Sequence, residues 1–140
     1  MHTDLQKILS ITGYPGLYRY LSQARQGIIV ESLKDGKRMC LPASAKVSSL
    51  SDITIFTDDD DMLLKDVFSK IKENTNEEPA ISHKSPQEEL MNYFGSVIPE
   101  YDKDKVFPSH VKKMIEWYNI LQENKMLNFE EDEKATEEEN

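Results

Sequence analysis

The sequence predicts an α+β fold, and three observations carry that expectation. Turn-forming clusters recur at strand spacing through the first 57 residues. Apolar residues then recur at helical spacing in three later segments. The chain has 140 residues and a single cysteine, Cys40, so apolar burial and not disulfide bonding must hold it together.

The first element is open between two readings. Thr3 followed by Gln6 has the spacing of a capping box, with Leu5, Ile8 and Leu9 on one helical face. A strand from Lys7 to Ile11 reads almost as well. Beyond it, "TGYPG" (12–16), "ARQG" (24–27), "KDGK" (34–37) and "PASA" (42–45) separate the runs "LYRYLS", "IIVESL", "RMCL" and "ITIF", which are rich in β-branched and aromatic residues. These runs predict four or five short antiparallel strands, with a turn of helix over 45–50 before the last. The expected unit is a small antiparallel β-barrel-like (SH3-like) domain spanning residues 1–57.

The stretch "ESLKDGKRM" (31–39) fixes an expected register. Asp35-Gly36 suits a two-residue type I′ turn, because both central positions need positive φ. Lys34 would then face Lys37, Leu33 face Arg38, Ser32 face Met39, Glu31 face Cys40 and Val30 face Leu41. One face would carry Ile28, Val30, Met39 and Leu41, and the other Ile29, Glu31, Leu33, Arg38 and Cys40.

Residues 58–84 are expected to form a helix capped by acids and a polar linker. The run Asp58–Asp61 is not a calcium loop: counted from Asp58, the sixth and twelfth residues are Leu63 and Ser69, where Gly and Glu are needed. Aspartates at a helix start complement its positive end. Leu64, Val67, Phe68 and Ile71 share the following helical face, which ends near Asn74 to Asn76. "NTNEEPAISHKSP" lacks periodicity and reads as the loosest connection in the chain. A helical domain over 85–127 follows. Ser85-Pro86-Gln87-Glu88 opens a helix with the stripe Leu90, Phe94, Val97 and Ile98, stopped by Pro99. Pro108 and Ser109 open a third helix, with Val111, Met114, Ile115, Tyr118 and Leu121 on one face and Trp117 and Ile120 widening it. The last segment, 128–140, has seven acids and one lysine, and is expected to be a disordered acidic tail.

Charge is distributed unevenly. The chain carries a net −9, but residues 1–57 hold seven Lys/Arg against four Asp/Glu. That basic excess suggests a binding surface of Arg19, Arg25, Lys34, Lys37, Arg38 and Lys46, with Tyr20 beside it and Tyr14 and Tyr18 as further rings for base stacking. Charged hairpin tips also serve simply to discourage edge pairing. Trp117 and Ile120 form a candidate face for a partner helix or a second copy, unless they are buried against the strands. Neither a phosphate-binding glycine loop, a metal-ligand spacing nor a nucleophile with its base is visible, and His2, His83 and His110 stand in no recognisable relation to Cys40.

Residues 7–57, "KILSITGYPGLYRYLSQARQGIIVESLKDGKRMCLPASAKVSSLSDITIFT", resemble a family of small bacterial proteins with the patterns "GLY", "GIIVESLDDGKR" and "DISIYT". "VIPEYDKDKVFPSHVKKMIEWYNIL", 97–121, resembles the helical companion domain of the same proteins. The resemblance implies a β-rich first domain and a helical second one, and transfers no activity or functional residue. The expected function is therefore binding without catalysis or cofactor, as a protein-interaction adaptor for a protein partner or a second copy. Nucleic-acid binding through the basic face is the alternative. No run of residues is apolar enough to span a membrane, and the N-terminus lacks the zones of a secretory signal, so the cytoplasm is the expected location.

Overall fold

Five strands, β1 (Ile8–Ile11), β2 (Tyr14–Ala24), β3 (Gly27–Ser32), β4 (Arg38–Pro42) and β5 (Val47–Ser49), form an antiparallel sheet in the order β4-β3-β2-β1-β5. This computed structural model describes residues 5–127. The expected acidic tail, 128–140, and the Thr3 end of the capping box lie outside the described residues. Leu5–Lys7 makes one 3₁₀ turn and the chain passes straight into β1, so the strand reading of the N-terminus is the one adopted. No pairing joins β4 to β5 among the described residues, so the sheet is open and no closed barrel is found.

Two local expectations are corrected. Residues 47–49 are strand, because they complete the free edge of β1, and the helical turn comes after them at Leu50–Asp52. "ITIF" does not join the main sheet. Thr54–Ile55 (β6) pairs with Met62–Leu63 (β7) in a separate hairpin, and the expected boundary after residue 57 falls inside its loop.

That hairpin also relocates the aspartates. Asp58–Asp61 occupy its loop, and α1 (Leu64–Thr75) starts without any side-chain cap. The Leu64 N–H donates instead to the Ile53 carbonyl at 3.0 Å, so a backbone group does what the acids were expected to do. The helix ends as expected, with Asn76 in the left-handed region at φ 55°. α2 (Gln87–Val97) likewise lacks a side-chain cap: Pro86 lies just outside it, and its carbonyl accepts from the Leu90 N–H at 3.0 Å. α3 (Pro108–Glu123) begins with proline in its first turn.

The helical stripes bury as their spacing requires. Leu64, Val67, Phe68 and Ile71 of α1, Leu90 and Phe94 of α2, and Val111, Met114, Ile115, Tyr118 and Leu121 of α3 lie in one cluster. Ile8, Leu17, Leu33 and Leu50 from the β-rich part belong to that same cluster. Each fully buried large side chain contributes about 1.5–3 kcal/mol by transfer from water. Sheet and helices thus share a core. The opposite face of the sheet holds a smaller cluster of Leu9, Ile11, Val30 and Leu41, with Tyr18 and Tyr20 packed partly against it.

Trp117 and Ile120 belong to the shared core, at 7% and 6% exposure. The wide apolar stripe of α3 therefore serves two packing surfaces within this chain, one toward the helices and one toward β2, and both residues are mostly covered there. A Cβ added to Gly16 of β2 would come within 3.8 Å of Ile120, which shows how closely strand and helix approach.

The polar linker is tied down by α3. The Tyr118 hydroxyl meets Thr75 Oγ1 at 2.8 Å and donates to the Glu78 carbonyl at 3.1 Å. Asn119 accepts from the Ala80 N–H at 2.7 Å and donates to the Ile81 carbonyl at 3.0 Å. Two adjacent polar side chains of α3 thus satisfy the backbone of a segment without regular structure of its own.

The β3–β4 hairpin keeps its expected faces but not its register. Glu31 pairs with Arg38, Val30 with Met39, Ile29 with Cys40 and Ile28 with Leu41, a slip of two residues. Because side chains alternate with period two, a slip of two leaves every residue on its expected face. The cause is Leu33. Its side chain is drawn into the main core, and its N–H continues the β2–β3 ladder by donating to the Leu17 carbonyl at 3.0 Å. The turn widens accordingly, with the Lys37 N–H held by Asp35 Oδ1 and the Lys34 N–H by Ser32 Oγ.

Candidate interaction site

The sheet separates the residues of the expected basic surface. Arg19 lies opposite Glu31, which lies opposite Arg38, so these three form one cross-strand row. Tyr20 lies in the next row with Val30 and Met39, on the other face, and packs against the smaller cluster. Tyr18 shares that face, and burial raises its phenol above the ordinary value. Neither ring stands beside the arginines. Arg25 occupies the β2–β3 turn, at the opposite end of β3 from the Lys34–Lys37 loop. Lys46 precedes β5, on the opposite edge of the sheet from β4.

Most of the hairpin's cations are also paired. Glu31 takes both arginines, with Arg38 Nε at 3.5 Å and Arg19 Nη1 at 3.9 Å. Lys34 Nζ lies 3.8 Å from Glu116 of α3, whose carboxylate also meets His83 Nε2 at 3.6 Å. Only 18% of the Glu116 side chain is exposed, so this pairing ties hairpin, linker and α3 together at a partly buried point. Lys37, Arg25 and Lys46 remain exposed and scattered.

A different cationic surface emerges where β6 meets α3. Ile55 of β6 is buried, and Phe56, the residue just after the strand, is 44% exposed. Ile53, Ile55, Val106, Met114 and Trp117 enclose an apolar cavity of about 180 Å³, with Lys105, His110 and Lys113 at its mouth. This is slightly larger than the ~150 Å³ cavity that accepts a benzene ring in an engineered core, and so suits one aromatic or branched side chain. Lys105 Nζ lies 5.2 Å from the centre of the Phe56 ring, and Phe107, 54% exposed, stacks obliquely on His110 with ring centres 5.5 Å apart. Lys105 and Lys113 have no carboxylate partner among the described residues.

A second cavity of about 300 Å³, more polar, lies across Lys113 and Trp117, which line both. Its far wall is the β1–β2 turn, including Thr12, Gly13 and Tyr14. The two form one interrupted trough over α3. Sequence reading missed it because Phe56 and Trp117 are distant in the chain. A local signal did exist: residues 103–113, "KDKVFPSHVKK", carry four lysines against one aspartate in an acidic protein.

Comparison with known proteins places the chain in a family. Residues 5–50 match the model of Domain of unknown function (DUF5606), and residues 53–121 that of Domain of unknown function (DUF6852). A solution NMR structure from Bacteroides vulgatus, determined by the Northeast Structural Genomics Consortium, is similar at 41% identity. The match covers 87% of this chain and 88% of that one, with a TM-score of 0.74. The chain belongs to this bacterial family. No curated protein matches. Within the family's frame, the apolar cavity lies wholly in the DUF6852 part, whereas the second cavity is built from both parts, residues 10–16 of the first and 113–117 of the second.

Proposed function

We propose that the protein is a non-enzymatic binding or adaptor module acting through protein–protein interaction, in the cytoplasm, with its partner docked at the apolar cavity between β6 and α3. The observation that carries this reading is the exposed Phe56 on the lining of an apolar cavity, with the exposed Phe107 stacked on His110 of that lining. Exposed aromatics on a rigid frame are the usual anchors of protein interfaces, because they contribute large contact area with little loss of side-chain freedom. The five-stranded sheet, read as an SH3-like unit open between β4 and β5, acts on this view as the support for α3. Among the described residues no helix is long and apolar enough to cross a membrane.

Nucleic-acid binding through the hairpin face has less support, since Arg19, Arg38 and Lys34 already have carboxylate partners and Tyr20 faces away. The test is parallel affinity capture with the wild-type chain and with Phe56→Glu. A protein retained by the first and lost by the second is expected. Identical capture profiles would overturn the docking site.

A further inference from the structure

The geometry points to the chemistry of the docked segment: an extended acidic peptide, with one aromatic or branched apolar side chain in the cavity and its neighbouring carboxylates laid over Lys113 toward the second cavity. This rests on the interaction reading above and specifies its partner.

Three features select that ligand. The cavity's volume of about 180 Å³ admits one large apolar side chain and little more. The cations at its mouth, Lys105 and Lys113, are unpaired among the described residues, whereas those of the hairpin are mostly neutralised. An approaching carboxylate therefore meets positive charge that no internal acid has already taken up. The third feature sets direction. Asp58–Asp61 form the loop just beyond Phe56, so carboxylates pointing that way are repelled, and the favourable path runs across α3. There Lys113 and Trp117 bridge into the second cavity, where the β1–β2 turn offers polar surface to the continuing backbone. Glu116 of α3 also lines the second cavity, but it is paired with Lys34 and so opposes the carboxylates less than a free acid would.

Trp117 is the only tryptophan and lines both cavities, so its fluorescence reports occupancy directly. Full-length protein would be titrated with four synthetic octapeptides. One holds a phenylalanine followed by three glutamates; the others replace that phenylalanine by alanine, the glutamates by glutamines, or the glutamates by lysines. The first is expected to shift Trp117 emission, and each replacement to weaken binding at least tenfold. Lys113→Glu should weaken the acidic peptide by a similar factor and reverse the order of the acidic and lysine peptides. That reversal cannot come from misfolding.

Equal binding of the glutamine and glutamate peptides, both lost with alanine, would overturn the acidic specificity while leaving the docking site standing. Failure of all four to perturb Trp117 would overturn the proposal and the cavity together. A shift that follows protein concentration alone would show a second copy as the occupant. A shift produced by a single-stranded oligonucleotide, and by none of the peptides, would show a nucleic-acid ligand instead. Either would also overturn the proposal.

Discussion

The β3–β4 hairpin and the α3 trough both carry clustered cations, yet the two surfaces are chemically different. On the hairpin, Glu31 faces two arginines and Glu116 reaches Lys34, so positive charge is matched within a few ångströms. Around the trough, Lys105 and Lys113 stand beside exposed aromatic surface without an acidic partner among the described residues. Cationic count alone does not make a binding surface. What matters is whether the fold has already supplied the counter-charge.

The largest test of that contrast removes the residue that holds the hairpin in its register. Leu33→Ala takes a buried side chain out of the shared core and should cost about 2–5 kcal/mol, seen as a lower urea midpoint. If the two-residue turn formed in its place, Lys34 would leave Glu116, and the hairpin would gain free charge. A cost under about 0.5 kcal/mol, the level of an ordinary surface change, would show that Leu33 does not set the register.

Tyr118→Phe tests the anchoring of α3 beneath the trough. The change leaves the Glu78 carbonyl without its side-chain donor and the Thr75 hydroxyl with only the Lys72 carbonyl at 3.4 Å, at a cost of about 1–3 kcal/mol. It also carries a pH signature. Burial raises the Tyr118 phenol above its ordinary value of 10.0, so folding favours the neutral form. The associated stability is complete below pH 10 and is lost as pH rises through the folded value. Tyr93 is raised by burial in the same direction. Wild-type stability should therefore decline in alkaline solution, and the variant without the Tyr118 hydroxyl should decline less steeply. Parallel curves would exclude Tyr118 as a source of the decline.

Glu31→Gln sharpens the comparison more gently. The ion pairs it removes are substantially exposed on the arginine side, so about 0.2–1 kcal/mol of stability is at stake. Freed from their shared carboxylate, Arg19 and Arg38 should raise low-salt affinity for a single-stranded oligonucleotide measured by fluorescence anisotropy. An unchanged affinity would break the explanation by internal neutralisation. The smallest stability effect belongs to Lys113→Glu, expected within about 0.5 kcal/mol of wild type by thermal melting because the side chain is exposed. A larger loss would show that Lys113 has a structural partner.

Much of the fold was legible because it depends on near neighbours. Leu64, Val67, Phe68 and Ile71 recur at helical spacing and bury together, and Ile28, Val30, Met39 and Leu41 share a sheet face as alternation requires. The misreadings arose where a distant group satisfied a local need. The acids expected to cap α1 were displaced by the Ile53 carbonyl, and the linker that looked loose was held by Tyr118 and Asn119. The candidate site was less legible still. Arg19 and Tyr20 are adjacent in sequence and therefore on opposite faces, while Phe56 and Trp117 are far apart and meet at one cavity.

By itself the sequence determined the α+β class, the helical stripes, the face of each hairpin residue and the family of the chain. These follow from periodicity and turn chemistry, which act over a few residues. Tertiary structure decided the hairpin register, the burial of Trp117 and Ile120, and which cations stay free. Register yielded to the core because burying Leu33 against the helices contributes more than two further ladder positions at an exposed turn. Free charge was decided by which carboxylate the packing of α3 brought within reach, and no local pattern encodes that distance.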